Sequence, residues 1–565
     1  MKQKNNSTQK WLYQAAGKKK YNILFLLVIQ IIFGIFGVGY ALLMRKVIDF
    51  AVAGDKKGFT STLVVMTGWV IFQICLRAVE RFLEEYSRSG FENVLKHRLF
   101  RTLLKKDYGS VTAIHSGEWM NRLTSDTVVV ADGLSGILPG VAGMLVKMIG
   151  ALLVILWMEP AFGYILIPGG FLLIFFTYGF RKILKKLHKK VQEADGQLRV
   201  FLQENLGSLM IVRSFAREER TGEEALQKMQ QHQQQRMKRN HFSNICNVGF
   251  GSVMNGVRLI GIGYCGYGLL MGTMSYGTLM AVIQLMAQIQ QPFANITGYL
   301  PKYYAMIASA ERLREAEELS QKEDGNLFSL EEMQKFYQNE FQKFGLKNVD
   351  FTYQPPVVTE DGKELMPVVL KNLNLEIQKG DYVAFMGTSG CGKSTIMKLL
   401  LCLYAPDAGE RYFQATEQYD VQLLTSAYRR LFAYVPQGNH LMSGTIREIV
   451  AFADYQKMQQ EEQIWKALRI SCAEEFVQQL PKGLDTALGE RGMGLSEGQM
   501  QRIAIARAVF SGNPILILDE STSALDEQTE HTLLQNLKSM TDKTVLIVTH
   551  RPAVLAICNK QVNLS

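Results

Sequence analysis

The chain has 565 residues, too many for one ordinary domain, with 47% apolar and 20% charged residues and a formal net charge of +10. Its basic residues crowd beside long apolar runs, so a membrane explains the charge better than nucleic acid does. The seven cysteines, at 75, 246, 265, 391, 402, 472 and 558, form no CxxC pair, which argues against both a disulfide framework and a zinc site.

The N-terminus carries Lys2, Lys4, Lys10, Lys18, Lys19 and Lys20. It runs into an apolar stretch too long for a signal-peptide core, with no clear small-residue cleavage site. It therefore reads as a retained membrane helix, with Trp11, Tyr13 and Tyr21 suited to its interfacial approach. Six apolar segments lie at roughly 22–44, 60–77, 134–158, 160–180, 246–271 and 276–299. Each approaches the ~20 residues that cross a ~30 Å hydrocarbon layer, and the second is the weakest. Residues 1–318 are thus expected to form an all-α, six-helix transmembrane domain.

Orientation follows from the basic residues. They cluster before the first segment, after the second from Arg77 to Lys106, and after the fourth from Arg181 to Lys190. The turns at Glu159-Pro160 and Gly272–Ser275 carry none. The first-to-second loop departs from the pattern with Arg45, Lys46, Lys56 and Lys57. The majority places both termini in the cytoplasm, in a multi-pass protein of the cytoplasmic membrane. The inside connections, about 78–133 and 181–245, are long and charged. Leu, Phe and Val recur at helical spacing through 91–104 and 198–216, so membrane helices are expected to continue into the cytoplasm and end in hairpin tips.

Polar residues within the apolar segments are functional candidates. Gln284, Gln288, Gln291 and Asn295 share one helical face, and Asn244, Asn247, Asn255 and Arg258 do much the same. Lys147 sits near the middle of the third segment. Two readings stand. These faces either hydrogen-bond helix to helix, or line a water-filled cavity whose cations Arg258 and Lys147 imply a substrate with anionic groups.

A polar linker, 319–340, includes Ser320, Gln321, Lys322, Glu323, Asp324 and Gly325 and ends in a short helix. The soluble half, 341–565, reads as α/β. Within it, Gly387-Thr388-Ser389-Gly390-Cys391-Gly392-Lys393-Ser394-Thr395 fits the phosphate-binding loop of nucleotide hydrolases. An apolar strand precedes it and a helix follows. Backbone N–H groups and a helix N-terminus then converge on one anion site. Lys393 would reach the outer phosphates, and Ser394 would hold Mg²⁺. Downstream, Ile515-Leu516-Ile517-Leu518 makes a buried strand ending in Asp519-Glu520. Asp519 would coordinate the metal and Glu520 would polarise the attacking water.

Leu495-Ser496-Glu497-Gly498-Gln499 and the following Met500–Ala508 resemble the signature and helix of the ABC family. Their spacing, 103 residues from Lys393 to Ser496 and 23 from Ser496 to Asp519, suits that family. Tyr353 looks like the aromatic that stacks on adenine. Gln437 looks like the glutamine that senses metal and water. Asp526, in Ser523-Ala524-Leu525-Asp526, matches the D-loop, and His550 matches the switch histidine at the γ-phosphate. The order of the halves resembles ABC exporter half-transporters over nearly the whole chain. Gly489-Glu490-Arg491-Gly492 resembles an exporter-specific segment, and Ser116–Asp126 and Glu204–Phe215 resemble the two coupling regions. The resemblance implies ATP and Mg²⁺ as cofactors and a dimer with a second half-transporter, a copy or a paralogue, in the lipid bilayer. Each ATP would lie between one chain's phosphate loop and Ser496, Gly498 and Gln499 of the other.

Three departures stand out. Glu497 replaces the usual first glycine of the signature and is expected to point to solvent. Residues 354–366 look like an insertion, read as a surface loop. The chain ends 15 residues after His550, where the family carries a further strand and a helix; the helix is expected to be absent. The expected function is ATP-driven export or flipping of an amphipathic, lipid-, peptide- or drug-like substrate by alternating access. The alternatives are one subunit of a heterodimer with one impaired ATP site, and an ABC protein that gates rather than pumps. A soluble ATPase acting on DNA or ribosomes fits poorly with six apolar segments, and no nucleic-acid partner is expected.

Overall fold

The computed structural model describes residues 2–319, 327–353, 357–358, 364–365, 368–416, 421–438, 441–489 and 494–564, with the backbone alone described at some helical positions, including 165–167, 171–178 and 291–297. Two compact units emerge, one of Met1–Phe100 with Met120–Ala316 and one of Arg101–Trp119 with Glu317–Ser565.

The first unit is helical. Helices Lys20–Val52, Lys56–Lys105 and Glu218–Leu270 and the helical run Ser116–Met158 are long and apolar enough to cross a membrane. They carry the first, second, fifth and third expected segments. The fourth and sixth fall on helices Gly163–Gly207 and Tyr276–Glu318, partly outside the described side chains. The 50-residue helix Lys56–Lys105 is about 75 Å long at 1.5 Å per residue. That is more than twice the ~30 Å layer, so it continues beyond the membrane, as the charged connection suggested. Close helix packing relies on glycine. A Cβ on Gly34 would come within 2.7 Å of Val146, and one on Gly143 within 2.7 Å of the Gln30 side chain. Around these contacts Val38, Ala41, Ala151, Ile155, Phe162, Cys265, Val282 and Leu285 form the core.

The first cytoplasmic connection differs from expectation. Its short tip helix is Tyr108–Thr112, started by Asp107, whose carboxylate accepts the Ser110 N–H at 2.9 Å. Residues 101–119 belong with the second unit. Ser116 begins the next helix, so the tip helix precedes the expected coupling region, Ser116–Asp126, by about eight residues. Its last member, Asp126, is buried in the first unit. There it accepts Arg312 Nε at 2.8 Å and Ser309 Oγ at 2.9 Å. Two π-helical turns, Arg122–Asp126 and Gly133–Ile137, interrupt this run. The second tip helix, Leu209–Ser214, lies inside the expected 204–215.

Trp11 is buried beneath the Arg98 guanidinium, 5.6 Å from its ring centre, while Tyr13 and Tyr21 are exposed. Of the polar faces, Gln288 donates to Gly37 O at 2.7 Å. Among the described residues, the buried side-chain oxygens of Gln284 and Gln288 meet no hydrogen-bond donor. Gln291 and Asn295 lie outside the described side chains. Arg258 is exposed, and Lys147 lies within electrostatic reach of both Glu80 and Arg77.

The second unit is α/β. A parallel sheet runs Lys560–Leu564, Tyr382–Gly387, Thr544–Val548, Ile515–Asp519, Phe432–Val435. Strand period 2 sends Ile515 and Ile517 to one core and Leu516 and Leu518 to the other, so the sheet is covered on both faces. An antiparallel sheet runs Val368–Gln378, Lys343–Thr352, Ala408–Gln414, Gln422–Leu423. Helix Leu330–Asn339 opens with a Ser329/Glu332 capping box and sends Met333 and Tyr337 into the same core. The polar residues 320–325 lie outside the described residues, as do Glu490, Arg491 and Gly492. In the expected insertion, Val357–Val358 pairs antiparallel with Glu364–Leu365. Beyond His550, the strand Lys560–Leu564 joins the sheet edge beside Tyr382–Gly387.

Candidate nucleotide site at the carboxyl edge of the parallel sheet

Parallel register aligns the strand ends. Gly387 lies opposite Leu564, Asp519 opposite Val548, and Leu518 opposite Val435. The residues that follow each strand therefore emerge on one edge. This is where open α/β sheets bind ligands. The edge collects the phosphate loop, Asp519-Glu520, Gln437 and His550, although more than 160 residues separate Gly387 from His550.

The loop bends sharply. Gly387, Gly390 and Gly392 have φ of +149°, +86° and +96°, backbone that side chains rarely tolerate. A Cβ at Gly387 would also meet Leu564 O at 2.3 Å. Lys393 starts helix Lys393–Leu400, is 5% exposed, and folds back so that Nζ donates to Gly387 O and Thr388 O, both at 2.9 Å. Cys391 Sγ lies 3.9 Å from the same ammonium. Thr388, Ser389 and Gly390 are exposed and Thr395 is buried.

Ser394 Oγ donates to Asp519 Oδ1 at 3.0 Å, and Tyr434 OH donates to Asp519 Oδ2 at 3.0 Å. Burial raises the Asp519 carboxyl above the ordinary carboxylate range, against the two donated hydrogen bonds that lower it. Glu520 adopts a left-handed φ of +50°. One of its oxygens accepts Gln437 Nε2 at 2.6 Å, and the other lies 3.4 Å from His550 Nε2. Tyr353 OH shares a hydrogen bond with Thr395 Oγ1 at 3.0 Å, and its ring meets Tyr404 edge-on at 5.4 Å. Tyr404 in turn meets Tyr108 of the first tip helix edge-on at 5.5 Å.

Ser496, Gly498 and Gln499 make different contacts. Ser496 caps helix Glu497–Phe510 in a reciprocal box with Gln499. Gly498 packs so tightly that a Cβ would lie 2.8 Å from Ala524 O. Glu497 is exposed. Asp526 caps helix Glu527–Lys538 by accepting the Thr529 N–H at 2.9 Å, and that hydrogen bond holds its carboxyl below the usual range.

Sequence reasoning missed three residues of this edge. Tyr434 reaches Asp519. Gln501 bridges Ser523 and Ala524. Arg551 clamps Leu525 O and Ser523 O while pairing with buried Glu530 at 2.8 Å. Tyr434 and Asp519 lie on adjacent strands at positions two apart, which becomes visible only once the pairing of Ile517 with Tyr434 is known.

Residues 23–293 match the family model described as ABC transporter transmembrane region, and residues 370–523 match the one described as ABC transporter. The chain is 28% identical over 514 residues to the ATP-dependent lipid A-core flippase of Photobacterium profundum, covering 90% of this chain and 85% of that protein. It is 27% identical over 555 residues to the leukotoxin translocation ATP-binding protein of Mannheimia glucosida, covering 96% and 74%. A solved bacterial Atm1-family ABC exporter with ATP bound superposes with a TM-score of 0.78 at 21% identity, covering 97% of this chain and 93% of that one, and so shares the fold. Membrane helices and a nucleotide-site edge in one chain, with both family models in that order, make this protein a member of the ABC transporters in which a transmembrane region is fused to its ATPase.

Proposed function

We propose that the chain is an exporter-type half-transporter that uses ATP to move an amphipathic, lipid-like substrate across the cytoplasmic membrane. Its membrane domain, residues 1–318, would hold six transmembrane helices, and residues 319–340 would link it to the cytoplasmic ATPase, 341–565. The observation that carries this reading is the convergence of Lys393, Ser394, Asp519, Glu520, Gln437 and His550 on one sheet edge, in a chain that also bears long apolar helices. The lipid-like choice is supported by the relative named as a lipid A-core flippase. The leukotoxin relative keeps a polypeptide substrate as the second reading.

The site's parts divide as follows. The N–H groups of 387–395 and the Lys393 ammonium would bind the outer phosphates of ATP, after Nζ exchanges Gly387 O and Thr388 O for phosphate oxygens. Tyr353 would stack on adenine. Ser394, Asp519 and Gln437 offer oxygen donors, the set that suits a hard divalent cation. Mg²⁺ bound there with the nucleotide supplies charge neutralisation. Glu520 would orient and polarise the attacking water, and His550 would donate a hydrogen bond to the γ-phosphate. Gln437 now engages Glu520, so it would have to release that oxygen before hydrolysis.

Ser496, Gly498 and Gln499 would complete the site of a second half-transporter, a copy or a paralogue, with Asp526 nearby at the interface. ATP then favours the closed pair, and closure shifts the membrane helices from inward-open to outward-open. The exposed carboxylate of Glu497, in the first turn of its helix, is placed favourably for the helix dipole. In lipid nanodiscs the purified chain should hydrolyse ATP, and lipid-like amphiphiles should stimulate it more than peptides do. Stimulation by peptides alone would replace the lipid reading with the second one.

A further inference from the structure

Asp519 is 1% exposed and receives two hydroxyl hydrogen bonds of equal length, one on each oxygen. The two donors stand differently toward a nucleotide and its cation. Ser394 lies in the phosphate loop, where its hydroxyl oxygen would offer a lone pair to the cation while its proton stays hydrogen-bonded to Asp519. Tyr434 lies on the strand Phe432–Val435, hydrogen-bonded to the strand that carries Asp519, and its ring is packed in the core beneath. Its hydroxyl has no cation to reach and stays where the sheet puts it. Strand period 2 and the pairing of Tyr434 with Ile517 set it on the same sheet face as Asp519.

We propose that Tyr434 is a positioning residue for the cation site: by holding Oδ2 of Asp519 it keeps Oδ1 directed at Ser394 and the cation's coordination shell. A buried carboxylate held through both oxygens has one fixed orientation. Without the Tyr434 hold the Ser394 hydrogen bond alone orients the carboxylate, which can then rotate about it. Partners that orient a metal ligand from behind typically contribute 10–100-fold to metal affinity or activity.

The inference rests on the nucleotide site proposed above, and the test separates the two. The full chain in nanodiscs is titrated with Mn²⁺ in the presence of ADP and followed by electron paramagnetic resonance. ATPase activity is measured in parallel against free Mg²⁺. Tyr434→Phe removes only the hydroxyl and keeps the packed ring. Tyr404→Phe is the control, because the Tyr404 hydroxyl contacts Thr112 at 3.5 Å. Expected for Tyr434→Phe are about 10–100-fold weaker Mn²⁺ binding and a matching rise in half-saturating Mg²⁺. At saturating Mg²⁺ the maximal rate should stay within about threefold and metal-free nucleotide binding should not change, while the melting temperature should fall modestly as buried Asp519 loses one of its two donors. Tyr404→Phe should leave Mn²⁺ binding unchanged. Normal Mn²⁺ binding by Tyr434→Phe, or a fall in maximal rate with no shift in half-saturation, would overturn the positioning role alone. A wild-type chain that binds no Mn²⁺ with ADP would overturn the site and the inference together.

Discussion

Glu520→Gln isolates the hydrolytic step. The substitution keeps the side-chain length and the left-handed backbone, φ +50°, that Glu520 already tolerates. The amide oxygen still accepts from Gln437 Nε2, now 2.6 Å from the carboxylate, and the contact with His550 Nε2 at 3.4 Å is weakened. What disappears is the negative charge that polarises water. General-base assistance is worth about 10²–10⁴-fold, or about 3–5 kcal/mol at ~1.36 kcal/mol per tenfold. ATPase activity in nanodiscs should fall by that factor, while ATP affinity stays within about threefold, because Glu520 forms no part of the phosphate cradle. Glu520→Gly gives a second reading of the same site. It relieves left-handed strain of about 1–2 kcal/mol and loosens the unfolded chain by about 0.4–1 kcal/mol. Stability should hold or rise while hydrolysis is lost. If Glu520→Gln kept more than a tenth of wild-type activity, or lost ATP binding along with hydrolysis, the assignment of Glu520 would be wrong.

Three further outcomes follow from particular contacts. Cys391 lies 3.9 Å from Lys393 Nζ inside the phosphate loop, so a thiol-blocking reagent should inhibit hydrolysis, ATP should protect, and Cys391→Ser should be resistant; inhibition of Cys391→Ser at the wild-type rate would place the sensitive thiol elsewhere. Asp126 is buried while the Arg312 side chain is 42% exposed. Arg312→Gln therefore strands a buried charge and should destabilise by about 3–5 kcal/mol, whereas Asp126→Asn leaves a cation that water can reach and should cost about 1–3 kcal/mol; thermal melts in detergent that rank the two the other way would contradict the buried-acid picture. In a cysteine-free background, Ser389→Cys combined with Ser496→Cys should form an interchain disulfide under mild oxidation with ATP and little without it. A yield independent of nucleotide would argue against the shared site.

The sequence was most readable where chemistry forces residue types into short strings. Gly387–Thr395 needed only its neighbours for its interpretation, whereas Leu518-Asp519-Glu520 and Ser496–Gln499 drew also on their company with that loop and their spacing from it. What escaped was whatever depends on pairing between distant segments. Tyr434 reads as one more apolar strand residue until register sets it against Asp519. Arg551 looked like the residue after a histidine, yet it clamps the backbone around Ser523 and Leu525. The first tip helix, Tyr108–Thr112, lies ahead of the Ser116–Asp126 stretch that resembles a coupling region, because the Asp107 cap, nine residues before Ser116, starts it. Lys147 is grouped with Arg258 by sequence, but the fold brings it within reach of Arg77, 70 residues earlier in the chain, and of Glu80 on the same helix as Arg77.

Reconstitution decides whether ATP hydrolysis at this sheet edge drives substrate across the membrane. The chain is placed in proteoliposomes, and a fluorescent lipid-like amphiphile is followed between leaflets after ATP is added. Net, uphill movement should require ATP and be abolished by Glu520→Gln at unchanged protein incorporation. Equal movement without ATP, or in Glu520→Gln, would show that nucleotide gates a passive path and would contradict the pump.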